Sequence, residues 1–338
     1  MKVLSVRNVN CAYYEGMQLL KDEGRLISPR GMDTLEVPCP VATVYQNPTE
    51  RVCMISERDA NPFFHLFESI WILAGRRDVE WLAQFNSNIA NFSDDGELFH
   101  AGYGYRLRKQ FGMDQIDEAM EVLKESEDTR QAVLQIWNCI TDLNCDSKDI
   151  PCNDIIFLKI RGGRLNITVC CRSNDVIWGA YGANVVQFSM LQEYIATKLG
   201  IEVGTYTQIS DSFHAYIENP QFETMILWSN EVAKMKAVPD LYRMVYIQPY
   251  PIMDVPDKWD EDAKIFVDHS LYGIQDNAEY KLYRNKWFRK VACPMFLCWK
   301  QHKINGTGLS KTNLIQATDW RKAAEQWFAK REDIKCSG

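Results

Sequence analysis

The spacing of apolar positions changes character near residue 131. Upstream it is helical. Residues 10–24 carry Tyr14, Met17, Leu19 and Leu20, which predicts an amphipathic helix. PFFHLFESIWILAG, residues 62–75, has proline at its start and glycine at its end, the pattern of a mostly buried helix. SPRGMDTLEVPCPVATVY, residues 28–45, reads as a Gly/Pro turn and then a strand. Downstream, AVLQIWN, IIFLKIR and RLNITVCCR are rich in β-branched and aromatic residues, with Gly162 and Gly163 where a hairpin needs its turn. NVVQFSMLQEYIATKLG reads as a long helix closed by glycine, and VGTYTQISDSFHAY as a strand running into a turn. Past residue 230 the text is irregular and rich in Pro, Trp and Tyr, until the helix-like, charged TDWRKAAEQWFAKRED. These elements predict an α+β fold. They also predict a boundary near residue 230, dividing residues 1–230 from an extension over 231–338 that packs on them or continues them.

Composition narrows the chemistry. In 338 residues, 46% are hydrophobic and 25% charged, the mix of a globular protein with an ample core. The net charge of -7 offers no field attractive to nucleic acid, so an anionic ligand must be held by locally placed arginines. No apolar core marks a signal peptide in MKVLSVRNVNCAYYEG, and no long apolar run marks a membrane span. The 11 cysteines include no CxxC pair, which fits reduced thiols in a cytoplasm, or a host's cytoplasm if the source is viral. His65, His100, His269 and His302 lack ligand spacing, so no metal is expected.

Most cysteines fill cores. Cys152 differs because it opens a strand, and Arg172 returns beside it after the Gly162/Gly163 turn. A guanidinium there would favour the nucleophilic thiolate. Arg172 and Ser173 suit a phosphate, and Asn184 combines a donor and an acceptor that suit a pyrimidine edge. Asp175, His214 and Tyr216 add polar groups on adjoining segments, although RSND also reads as a polar capping turn. Glu68 sits among Phe64, Phe67, Ile70 and Trp71, where a partly desolvated carboxyl would suit proton handling; otherwise it is a surface glutamate.

Residues 23–219 resemble thymidylate synthase and its hydroxymethylase relatives. The matching pattern is Pro151 and Cys152, then RSNDV at 172–176, Gly179, Asn184, and His214 with Tyr216. The resemblance implies a large mixed β-sheet flanked by helices, with two sheets packed together in a homodimer. It implies Cys152 as the nucleophile adding to ring carbon 6 of a pyrimidine nucleotide, and methylene-tetrahydrofolate as the one-carbon donor. Glu68 would organise water and proton transfers, and Tyr103 would lie near the proton-removal step. Arg30, Arg172 and Ser173 would hold the phosphate, with Arg130 reaching across to the partner's phosphate site. His214 and Tyr216 would hold the sugar hydroxyl.

The departures from the synthase pattern point to the product. NSNIANFSDDGE lacks the synthase tryptophan, Asn153 replaces the histidine after the nucleophile, Gln131 replaces a second arginine, and REDIKCSG does not resemble the synthase tail. Features that exclude water are thus missing, which favours hydroxymethylation over reductive methylation. A divergent synthase with a rebuilt lid is the alternative, and an inactive nucleotide-binding homologue a minor one. Asn184 favours dUMP over dCMP, narrowly, because WGAYGAN is one residue longer than the synthase loop.

Overall fold

The computed structural model describes residues 1–235, 237–272 and 279–336, with backbone alone at Arg30, 269–272, 279–280 and 333–336. Two units divide the chain. One comprises Met1–Ala60, Gln115–Thr141 and Pro151–Met244, and the other Asn61–Asp114, Asp142–Ile150 and Val245–Gly338.

The first unit holds all eight strands found among the described residues. In chain order these are β1 (Lys2–Val6), β2 (Arg25–Ile27), β3 (Thr34–Glu36), β4 (Val41–Tyr45), β5 (Val133–Gln135), β6 (Asn153–Arg161), β7 (Arg164–Asp175) and β8 (Glu202–Tyr216). They form one mixed sheet in the order β1-β4-β8-β7-β6-β5, with β3 also pairing β8 and β2 pairing β3. The β1–β4 and β7–β8 pairs are parallel and the others antiparallel. Gly162 and Gly163 turn β6 into β7 at φ 58° and 70°, the doubly left-handed turn whose twist matches a hairpin.

Rows across the sheet show which face is covered. Ile156–Val169–Gln208 and Leu158–Ile167–Tyr206 are buried, and the helix Asn184–Leu199 packs against β7 and β8. On that side Gln192 donates to Leu165 O at 2.7 Å and Thr205 O at 3.0 Å. The opposite rows, Ile155–Cys170–Ile209 and Phe157–Thr168–Thr207, are only half-buried. The helix Val9–Glu23 starts on Asn8, whose side chain accepts from Asn10 N and Cys11 N. Its buried stripe is Tyr13, Met17 and Leu20, while Tyr14 and Leu19 are half-buried.

The second unit is helical. The helix Pro62–Leu73 is capped by Asn61, whose side chain accepts from Phe63 N and Phe64 N, and every residue in it except Glu68 is buried. Phe67 lies at its centre, with ring centroids 4.4 Å from Phe85, 5.8 Å from Phe266 and 6.0 Å from Phe296. The stretch that looked irregular past residue 230 contains the helices Trp259–Tyr272 and Cys293–Asn305 ahead of the expected terminal helix, Thr318–Cys336. Trp259, Ala263, Phe266 and Val267 are buried at helical spacing, behind an acidic first turn that complements the helix dipole.

Two other expectations shift in extent. AVLQIWN forms a strand only over Val133–Gln135. VGTYTQISDSFHAY belongs to one unbroken strand, and the turn comes after Tyr216. Gly104 approaches the helix Pro62–Leu73 closely, since a Cβ there would lie 2.3 Å from Ile72 O. Gly104→Ala is therefore expected to destabilise the protein by about 1–3 kcal/mol, read as a lowered midpoint in urea unfolding.

Candidate active site

Strand directions gather one end of the sheet. β6 begins, and β7 and β8 finish, at the same edge, so Cys152, Asn153, Arg172, Ser173, Asp175, His214 and Tyr216 converge there. Ser173 pairs with Ser212, and Asp175 with His214. The helix that starts at Asn184 adds its first residue, which is buried.

Cys152 is half-buried, and its carbonyl accepts from Arg172 N at 2.9 Å. The Arg172 guanidinium donates through Nε to Pro151 O at 2.7 Å and lies 5.7 Å from the Trp137 ring centroid. Two backbone bonds and an aromatic cushion thus hold Arg172 beside the cysteine. Burial pushes Cys171 well above the ordinary thiol range and raises Cys170 as well, with Asp154 adding to the latter.

A bulge opens β6. Asn153 pairs with Cys171 and Ile155 with Cys170, which leaves Asp154 as the extra residue. The Asp154 carbonyl accepts from both Ile136 N and Trp137 N, at 2.9 Å each. Its Oδ1 is buried with no hydrogen-bond partner, and burial pushes the carboxyl up to about 6, against the pull of Arg172. A carboxyl raised in the folded state contributes stability that is fully present below its unfolded pKa and is lost as pH rises through the folded one. Asp154→Asn should therefore gain stability relative to the parent between pH 3.8 and about 6 and hold that gain above it. Urea midpoints of both proteins across this range check the prediction, and a pH-independent difference would contradict it.

His214 and Tyr216 are oriented from behind. Ser212 Oγ bonds the Glu36 carboxylate and lies 2.9 Å from His214 Nδ1. A hydroxyl that donates to Glu36 accepts from Nδ1–H, which leaves Nε2 as an acceptor. Tyr216 packs edge-on to His214 with ring centroids 5.3 Å apart. Asp175 uses both oxygens on backbone donors, Trp178 N at 2.5 Å and Tyr216 N at 3.4 Å. Burial raises its pKa, opposed by the Trp178 N–H and by His214.

Arg130 stands apart from this cluster. It is exposed and precedes β5, which pairs antiparallel with Ile155–Phe157, so the chain before β5 runs toward the far end of β6. At a rise of ~3.3 Å per residue it lies roughly 20 Å along the strand from Asn153. Arg30 is in the short helix Pro29–Gly31, and its side chain lies outside the described residues, as does that of His269 and the end of REDIKCSG. Glu68 and Tyr103 belong to the second unit. Glu68 is half-buried in its helix, and Tyr103 is half-buried at the start of the short helix Tyr103–Tyr105. The Tyr103 segment is anchored by Arg106, which donates to His100 O at 3.2 and 2.9 Å and pairs with Asp142 at 2.6 Å.

Sequence reasoning passed over Trp137, Asp154, Ser212, Glu36 and Asn174. Trp137 read as strand core, and no local pattern marks a bulge or a partner on a distant strand. Among the described residues, no His/Cys/Asp/Glu group could hold a metal, and no helix is long and apolar enough to cross a membrane.

The arrangement is a half-buried cysteine whose backbone pairs with an arginine anchored on Pro151 O, with a buried amide and a His/Tyr pair at the same strand ends. The thymidylate synthase family model matches residues 12–256. This chain belongs to the thymidylate synthase family. The expected α+β fold, a large mixed sheet flanked by helices, is the fold of that family. Members are one-carbon transferases that use methylene-tetrahydrofolate as co-substrate. A deoxyuridylate hydroxymethyltransferase from Pseudomonas phage M6 is 40% identical over 341 aligned positions, covering 98% of this chain and 95% of that protein. One of the same name from Bacillus phage SP01 is 44% identical over 218, covering 61% of this chain and 57% of the relative. A protein of Methanothermobacter marburgensis with a provisional thymidylate synthase name is 31% identical over 226, or 64% of this chain and 93% of its own length.

Proposed function

We propose that this member of the thymidylate synthase family is a deoxyuridylate 5-hydroxymethyltransferase. It would convert dUMP, methylene-tetrahydrofolate and water into 5-hydroxymethyl-dUMP and tetrahydrofolate. The observation that carries this reading is the end-to-end similarity to the Pseudomonas phage protein, which includes the region past residue 256 where the family model stops.

In this reading the Cys152 thiolate adds to ring carbon 6, which makes carbon 5 a nucleophile. Arg172, Ser173 and Arg30 bind the phosphate, with His214 and Tyr216 on the sugar and Asn184 on the base edge. Asp175 braces the segment between them. Methylene-tetrahydrofolate supplies the one-carbon unit, and the half-exposed Trp178 indole, three residues after Asp175, offers a flat surface that fits a pterin ring. Carbon 5 bonds the methylene carbon and loses its proton as tetrahydrofolate leaves; water then adds to the exocyclic methylene so formed, and the Cys152 sulfur leaves carbon 6. Asn153, an amide in place of the synthase imidazole, would position water at this end of β6. Glu68 and Tyr103 keep the proton-transfer roles that the family resemblance implies.

A homodimer fits the half-buried rows Ile155–Cys170–Ile209 and Phe157–Thr168–Thr207, an apolar face suited to a second copy. It also fits Arg130, an exposed arginine that would reach the partner's phosphate. Residues 1–230 would form the catalytic body and 231–338 an extension common to this chain and the Pseudomonas phage relative. The setting would be a phage-infected host cytoplasm. A divergent thymidylate synthase is the second reading, favoured by the archaeal relative. Following folate by absorbance separates them: dUMP-dependent turnover without dihydrofolate supports the hydroxymethyltransferase, and stoichiometric dihydrofolate overturns it.

A further inference from the structure

The amide at position 184 does not stand alone. Asn153 Nδ2 donates to Asn184 Oδ1 at 3.5 Å, Asn184 Nδ2 donates to Asn174 Oδ1 at 3.1 Å, and Asn174 Nδ2 donates to Ser210 Oγ at 2.9 Å. All four residues are buried, with exposures of 0, 6, 1 and 2% from Asn153 through Asn184 and Asn174 to Ser210. Asn153 and Ser210 occupy one row of the sheet, with Cys171 between them. That separation is about 10 Å, two strand spacings, and the amides of Asn174 and Asn184 bridge it.

We propose that Asn174 is a positioning residue for base discrimination, setting through this amide chain which end of Asn184 faces the substrate. The proposal rests on Asn184 reading the base. An amide presents a donor at one end and an acceptor at the other, so each link fixes the direction of the next. Reversing one member alone would set two N–H groups or two oxygens face to face in a buried site, which is costly. The chain therefore has two polarities and turns as a unit.

In the polarity found, the nitrogen of Asn184 is drawn toward Asn174 and its oxygen toward Asn153. Each end keeps capacity for one more bond, an N–H and a lone pair. That combination reads a carbonyl beside a ring N–H, the uracil edge. The reversed polarity exchanges the two ends and reads an amino group beside a ring nitrogen, the cytosine edge. Ser210 can accept or donate, so its hydroxyl anchors the chain in either state.

Two further features fit. Asn153 Oδ1 is buried with no hydrogen-bond partner, leaving an acceptor at the open end of the chain. Gly179 leaves the room the amides occupy, since a Cβ there would lie 3.0 Å from Asn174 Oδ1 and 3.7 Å from Asn184 Nδ2.

The test is kcat/KM for dUMP and dCMP, measured separately with methylene-tetrahydrofolate, in the full chain and three variants. Asn174→Asp accepts only, so it keeps the Asn184 nitrogen on its side and retains the dUMP preference. Asn153→Asp draws that nitrogen the other way and moves the dUMP/dCMP ratio toward dCMP by about tenfold or more, the equivalent of ~1.4 kcal/mol. Asn174→Ala releases the amide, lowering the ratio and raising KM for dUMP more than it lowers kcat. The two aspartate variants are near-isosteric and predict opposite directions, a contrast that a general loss of stability would not produce. A parent active on dUMP, with ratios in Asn174→Ala and Asn153→Asp within about twofold of its own, overturns this inference and leaves the proposed function standing. A parent that turns over neither nucleotide overturns both.

Discussion

Cys152→Ala is expected to lose turnover by a factor on the order of 10⁴ or more while still binding dUMP. Removing a nucleophile that forms the covalent intermediate leaves only positioning and electrostatic help for the chemistry. The groups proposed to hold the nucleotide lie elsewhere. Arg172 is fixed by Pro151 O and the Trp137 face, His214 by Ser212, and Asn184 by Asn174. Affinity for dUMP, measured by equilibrium dialysis, should therefore change little. Turnover retained within tenfold would mean that another group is the nucleophile. Cys171 and Cys170 are poor replacements, because burial raises the pKa of both thiols and so disfavours the thiolate.

Asp142→Ala is expected to destabilise the protein severely, by about 3–5 kcal/mol. Both Asp142 oxygens are engaged: Oδ2 with Arg106 Nη1 at 2.6 Å, and Oδ1 with Arg106 Nη2 at 2.9 Å and His100 Nε2 at 2.8 Å. The Arg106 side chain is 1% exposed, so the substitution strands a charge in the interior. Replacing both partners by apolar residues removes that charge, and Arg106→Met combined with Asp142→Leu should recover much of the loss. Urea unfolding of the two single variants and the double variant gives the coupling. A double variant as unstable as the sum of the singles would show that the pair is not the source of the effect.

What the sequence made legible follows physical range. The β6–β7 hairpin was readable because alternation and a Gly–Gly turn are local signals. The helix Pro62–Leu73 was readable because a proline and a glycine punctuate its two ends. Cys152, Arg172 and Asn184 were readable through an ordered motif, and the strand directions then explain why residues so far apart in sequence share one end of the sheet. Less was visible where the cause is tertiary. The bulge that extrudes Asp154 depends on the register between β6 and β7, and the pairing of Asn174 with Ser210 depends on β8 lying parallel to β7. The helix Trp259–Tyr272 was hidden behind a proline-rich approach, and its burial depends on Phe67 and Trp81, nearly two hundred residues earlier.

Water, and not hydride, is expected to complete the reaction. The most direct measurement is mass spectrometry of the product formed from dUMP and methylene-tetrahydrofolate in heavy-oxygen water. The expected product is a nucleotide carrying one hydroxymethyl group with the heavy oxygen in it, and tetrahydrofolate is released. An unlabelled methylated nucleotide together with dihydrofolate would contradict it.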